Sequence, residues 1–93
     1  MDEDELRALA EEIVGIFDPC DNSTPYRRRL KHHKLVDTLL YRYLVTDPWA
    51  YEKLGYRWGL GPQRARQINT PLRRNLRNEG VDPATLFAPG LSP

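Results

Sequence analysis

Between Trp58 and Arg77 five arginines, Arg64, Arg66, Arg73, Arg74 and Arg77, stand with Gln63, Gln67 and Thr70 and without one acid. A guanidinium can grip a guanine edge through two hydrogen bonds, and a glutamine amide can do the same with adenine. Arginines aimed at phosphates instead set affinity and its dependence on salt. Such side chains act together only if one element carries them on one side. Ala65, Ile68, Leu72 and Leu76 fall at i, i+3, i+7 and i+11, which is one apolar helical face. Gln63, Arg66, Gln67, Thr70, Arg74 and Arg77 then fall on the other. Gln63, Arg66 and Gln67 are the candidates for reading base edges. Arg64, Arg73, Arg74 and Arg77 are the candidates for holding phosphates.

The formal net charge of +1 conceals a segregation. From Met1 to Asp18 the acids are Asp2, Glu3, Asp4, Glu5, Glu11, Glu12 and Asp18, against Arg7 alone. From Tyr26 to Lys34 there are Arg27, Arg28, Arg29, Lys31 and Lys34 and no acid. Arg57 to Arg77 adds six arginines. This asymmetry points to an anionic partner at one face. The run at 26–34 reads two ways: a phosphate-gripping patch in which Arg27, Arg28 and Arg29 extend the track, or the inert basic half of a helix. Basic residues at a helix start oppose the helix dipole. The acidic segment reads as a solvated amphipathic helix, or as one that folds against the basic face and competes with DNA.

Five pairs punctuate the chain: Thr24-Pro25, Asp47-Pro48, Gly61-Pro62, Thr70-Pro71 and Asp82-Pro83. Each joins an accepted N-cap to the residue favoured at the first helical position, so each predicts a helix start. Strand patterns are nearly absent. The expectation is an all-α fold of four to five short helices around a helix-turn-helix, in one domain over 1–87. Its parts are an acidic helix at 1–18, a long helix at 25–45 and a helix-turn-helix at 48–78, with a last turn near 83–87 and a flexible tail at 88–93. Leu6, Leu9, Ala10, Ile13 and Phe17 form the first stripe, and Val36, Leu39, Leu40 and Tyr43 the second. Ala50, Leu54 and Trp58 line the inner side of the third helix. Gly59-Leu60-Gly61 is the short link that such a helix pair uses. Pro71 cannot donate to the Gln67 carbonyl, so a kink or break is expected there, splaying Arg73–Arg77 away from Gln63–Gln67.

Other chemistries find little footing. Cys20 is the lone cysteine, which rules out an internal disulfide and CxxC zinc frameworks. His32 and His33 are adjacent and point about 100° apart on a helix, so they cannot chelate one ion together. His33 with Asp37 supplies only two ligands. Cys20 with these histidines lacks an oxyanion-hole motif, so neither enzyme activity, nor a metal, nor a cofactor is expected. Trp49, Tyr56 and Trp58 read as packing residues rather than base-stacking platforms. No apolar run approaches the ~20 residues of a membrane span, and residues 2–5 are acidic rather than the basic start of a signal peptide. A cytoplasmic protein is expected.

The stretch "YEKLGYRWGLGPQRARQI" followed by "LRRNLR" resembles the C-terminal promoter-reading domain of the sigma-70 family of bacterial transcription factors, called region 4. The family pattern, roughly "leEvGkqfgvtreRvRQIe-kaLrkLR", runs ungapped from Tyr51 to Arg77. Glu52, Leu54, Gly55, Arg64, Arg66, Gln67, Ile68, Leu76 and Arg77 match it. "LLYRYL" at Leu39–Leu44 is similar to the apolar helix that precedes the pair. The likeness covers about half the chain. It departs at Pro62-Gln63, where the family has Arg-Glu, and at Pro71. The resemblance implies that the fourth helix enters the major groove of a promoter element, with Arg66 and Gln67 on bases and Arg64 on DNA. The upstream domain with which such factors melt promoter DNA is not here, so a stand-alone regulator of phage or mobile-element origin, or an excised fragment, is expected. Because the family domain also docks on RNA polymerase, the rival expectation is an accessory protein that binds RNA polymerase or a sigma factor without reading DNA.

Overall fold

Asp2 opens the first helix with a reciprocal cap. Its carboxylate accepts from the Glu5 N–H at 2.9 Å, and Glu5 reaches back to the Asp2 N–H at 3.5 Å. The structure, a computed structural model, describes residues 2–81. These form four helices and no strand: α1 (Glu3–Phe17), α2 (Tyr26–Leu39), α3 (Tyr51–Arg57) and α4 (Pro62–Asn78). The turn predicted at 83–87 and the tail at 88–93 lie outside the described residues. So does the Asp82-Pro83 pair.

α1 buries Ala10 and Val14 completely, with Leu6, Leu9, Ile13 and Phe17 partly covered. It lies against α2 and the turn that follows it; α2 packs on α4, and α4 on α3. α2 runs on without interruption into a π turn at Leu40–Leu44, closed by the Val45 N–H on the Leu40 carbonyl at 3.0 Å. The helical run therefore ends at Leu44, close to the expected 45. The wider turn advances the buried face by one residue, so Tyr41 and Leu44 are buried more deeply than Tyr43.

The proline pairs behave unequally. Gly61 is the N-cap of α4 with Pro62 at its first position, as expected. Pro25 stands one residue before α2, and Thr24 closes a turn by accepting from the Asp21 N–H at 2.9 Å instead of capping the helix. Asp47-Pro48 starts nothing, and α3 begins three residues later at Tyr51. The cause is Trp49. Its N–H donates to the Tyr41 carbonyl at 2.8 Å, its carbonyl accepts from Arg42 Nη1 at 2.7 Å, and its ring stacks on Tyr41 at 4.0 Å. Both backbone groups are thus committed to the π turn before a helix could use them. Ala50, expected on the inner side of α3, is accordingly its exposed N-cap.

Thr70-Pro71 breaks nothing. α4 is one helix from Pro62 to Asn78 with Pro71 inside it, so Arg73–Arg77 stay on the helix that carries Gln63–Gln67. An interior proline costs ~3 kcal/mol. Burial of Ile68, Leu72 and Leu76 on either side offsets it, at ~1.5–3 kcal/mol per side chain.

Two glycines set the link between α3 and α4. Gly59 has φ +72°, a left-handed turn in which its N–H bonds the Tyr56 carbonyl at 2.9 Å and the next N–H, of Leu60, bonds the Gly55 carbonyl at 2.8 Å. Gly55 faces the Gly61 backbone so closely that a Cβ there would collide with its carbonyl. Because the obstacle is backbone, it cannot swing aside. Gly55→Ala is expected to lower stability by about 2 kcal/mol, read as a lower urea midpoint at unchanged slope. An unchanged midpoint would mean that α3 and α4 do not meet this closely.

Candidate nucleic-acid interface

α3 and α4 form a helix-turn-helix, and α4 presents the side chains that the sequence singles out. Gln63, Arg64, Arg66, Gln67, Thr70, Arg73, Arg74 and Arg77 are all exposed. Ala65, Ile68, Leu72 and Leu76 are all buried beneath them. Among the described residues the ion pairs are Arg7–Asp37, Arg28–Asp18, His32–Asp18 and Arg57–Asp37, so no α4 arginine is neutralised by a carboxylate. Arg64 Nη1 donates to the Gln67 amide oxygen at 3.3 Å.

The helix has two cationic flanks. Arg64 and Arg73, nine residues apart, project from opposite sides. On one flank Asn69, Thr70, Arg73, Arg74 and Arg77 line a shallow hollow of about 340 Å³. On the other, Arg64, Gln67, Ile68 and Pro71 face Arg27, Leu30, Lys31 and Lys34 of α2 across a groove of about 550 Å³. Arg27 thus joins α4, while Arg28 and Arg29 do not. Arg28 pairs with Asp18 at 3.6 Å, and Arg29 lies by Glu11, Cys20, Asp21, His32 and His33 on the α1 side of α2. The continuous Arg27–Arg29 track fails because successive helical residues turn through about 100°. Lys31 and Lys34, which share the Arg27 side of α2, take their place.

Arg66 leans toward α3. Its guanidinium lies 5.4 Å from the centre of the Tyr51 ring, which also carries Arg42 at 4.0 Å. A polar chain absent from the sequence-derived site holds that ring. Buried Asn69 donates to the Tyr51 hydroxyl at 2.8 Å and accepts from the Tyr43 hydroxyl at 2.6 Å. Burial pushes the Tyr43 hydroxyl above the ordinary tyrosine range, although its bond to Asn69 pulls the other way. Burial and a 2.9 Å bond to Glu3 raise Tyr41 as well. A raised folded-state value favours the protonated form, so this stabilisation is fully present below about pH 10 and is lost as the pH rises through the raised values. Urea stability is expected to fall as the pH rises above about 10, and less steeply in Tyr43→Phe.

Trp49 and Trp58 pack as expected, but Tyr56 does not: it is 84% exposed, beside the half-exposed Leu60 of the link. Cys20, His32 and His33, for which neither a metal nor a nucleophilic role was expected, line one hollow beside Glu11, Asp21 and Arg29. His32 is buried and meets the Asp18 carbonyl at 2.9 Å, and Asp37 is committed to Arg7 and Arg57. Among the described residues no three His, Cys, Asp or Glu side chains gather as a metal site. None of their helices is long and apolar enough to cross a membrane. No protein-family model, curated protein or solved structure matches the chain.

Proposed function

We propose that the protein binds double-stranded DNA through its α3–α4 helix-turn-helix and acts in transcription regulation, in the manner that its likeness to sigma-70 family region 4 implies. One observation carries the reading: α4 exposes five arginines and two glutamines on a buried-backed helix, and none of these arginines is paired with an acid among the described residues. In a DNA-binding helix-turn-helix, the N-terminal part of the second helix meets base edges in the major groove. Gln63, Arg66 and Gln67 occupy that part of α4, and Arg64, Arg73, Arg74 and Arg77 flank it for phosphates. The Tyr51 ring restrains Arg66, which lowers the entropy lost when it docks.

Single substitutions separate the roles. Arg66→Ala is expected to cost ~1–3 kcal/mol and to relax preference at one base pair. Arg74→Ala is expected to weaken all sequences alike and to flatten the salt dependence by about one unit of slope. Competition binding on a randomised duplex pool reads both. Identical behaviour of the two variants would remove the division between base and phosphate contacts.

The exposed Tyr56 and Leu60 support a second reading, an accessory protein that docks on RNA polymerase or a sigma factor. Tyr41 and Leu44 are buried, so the link is where such docking would occur. Loss of polymerase pull-down in Tyr56→Ala, with DNA binding absent from the parent, would select it.

A further inference from the structure

We infer that the acid-free groove between α2 and α4 is a second DNA-backbone site. It takes the sugar–phosphate strand along one wall of the major groove, while Arg73, Arg74 and Arg77 take the other. This rests on the DNA-binding reading above, but its α2 wall lies upstream of the stretch that resembles region 4.

Arg27, Lys31 and Lys34 follow one another at i, i+4 and i+7, so they form a row that rises roughly 10 Å along α2. A DNA strand carries one phosphate per about 3.4 Å of helix axis, so that row spans about three of them. Arg64 supplies a fourth cation from the opposite wall. Between the walls lie Leu30, 39% exposed, and the apolar faces of Ile68 and Pro71. Deoxyribose carbons suit such a floor, with phosphates reaching the cations on either side. The groove is continuous with the reading face, because Gln67 belongs to both.

The row works against the fold that carries it. Four cations share one groove with no acid among its described lining residues. Arg27 sits in the first turn of α2, a helix start with no acid and no side-chain cap. An external strand of anions removes both defects at once.

The test compares two variants with the same change in net charge. Lys31→Gln with Lys34→Gln empties half of the groove. Arg28→Gln with Lys53→Gln removes charges elsewhere, from the Asp18 pair and from the Trp49 ring. Binding is measured by fluorescence anisotropy on specific and random duplexes across a salt series. The groove variant is expected to lose affinity equally on both duplexes and to flatten the log–log slope by about 1.8, against little change in the control. Arg27→Glu is expected to raise the thermal midpoint by a few degrees while weakening binding. Equal losses in the two double variants would reduce the effect to net charge and overturn the site. So would a groove variant that binds duplex as the parent does, including one that has lost only inorganic tripolyphosphate, and so would a fall in the Arg27→Glu midpoint. A parent that binds no duplex overturns the DNA-binding reading along with the groove. A parent that binds while the groove variant is unaffected overturns the groove alone.

Discussion

Asp37→Ala is expected to destabilise the protein by about 3 kcal/mol, more than any other single substitution considered above. The Asp37 carboxylate is nearly out of water and accepts from Arg7 Nη1 at 3.0 Å, Arg57 Nε at 3.2 Å and Trp58 Nε1 at 2.9 Å. Those donors come from α1 and from the end of α3, so one side chain of α2 fixes three helices. Burial lowers the Arg7 value, yet its bond to Asp37 and the charge beside it outweigh this and leave the guanidinium raised overall. Removing one partner of a buried pair costs roughly 3–5 kcal/mol. The lower end applies because the Arg7 and Arg57 side chains keep 29% and 40% of their surfaces in water. A domain of this size has about 5–15 kcal/mol in all, so the urea midpoint should drop by a large fraction. Glu12→Ala, an exposed carboxylate of α1 beyond its first turn, is the control and should shift stability by no more than about 0.5 kcal/mol. Equal midpoints for the two variants would show that Asp37 does not tie α3 in place.

Replacing Arg73, Arg74 and Arg77 together with glutamine is expected to weaken duplex binding on the order of 10²-fold at 0.1 M salt, without loss of stability. Each phosphate contact releases about 0.9 of a counterion, which at that salt amounts to nearly tenfold in affinity per contact; the three together flatten the slope by about 2.7. The fold should be indifferent. All three side chains are exposed, none is in an ion pair among the described residues, and glutamine is about as good a helix former as arginine. Anisotropy beside a thermal melt reads both halves of the expectation. A loss of less than threefold would place DNA elsewhere. A matching fall in melting temperature would make these arginines part of the fold.

What could be read from the sequence was what a helix repeats locally. The stripe Ala65, Ile68, Leu72, Leu76 has only one helical solution, and that solution fixes the outward set as well. The same holds for the acidic first turn of α1. Pro71 misled because its local penalty is visible in the sequence, whereas the burial on both sides of it is tertiary. Asp47-Pro48 misled because an N-cap pair competes with whatever else binds the following backbone, and Trp49 was already held by Tyr41 and Arg42. In the sequence Asp37 stood out only for its i, i+4 spacing from His33. Its partners lie 20, 21 and 30 residues away, beyond any periodicity. The Tyr43–Asn69–Tyr51 chain was invisible for the same reason. The side of α2 facing α4 could have been found from the i, i+4, i+7 spacing of Arg27, Lys31 and Lys34, but reading 27–29 as a block concealed it.

α1 also proves to be part of the core rather than a detachable mask. Ala10 and Val14 are fully buried and Arg7 serves Asp37, so removing 1–17 would unfold the chain instead of unveiling α4. The acids of α1 and its C-cap that have partners across the molecule reach Tyr41, Arg28 and His32, not the arginines of α4.

The most direct measurement is the salt dependence of duplex binding by the intact protein. If Arg27, Lys31, Lys34, Arg64, Arg73, Arg74 and Arg77 take phosphates as proposed, seven contacts at about 0.9 each give log affinity against log salt a slope of about −6. A slope near zero, or no duplex binding at about 50 mM salt, would contradict the account, because cations left without carboxylates would then have no anionic partner to explain them.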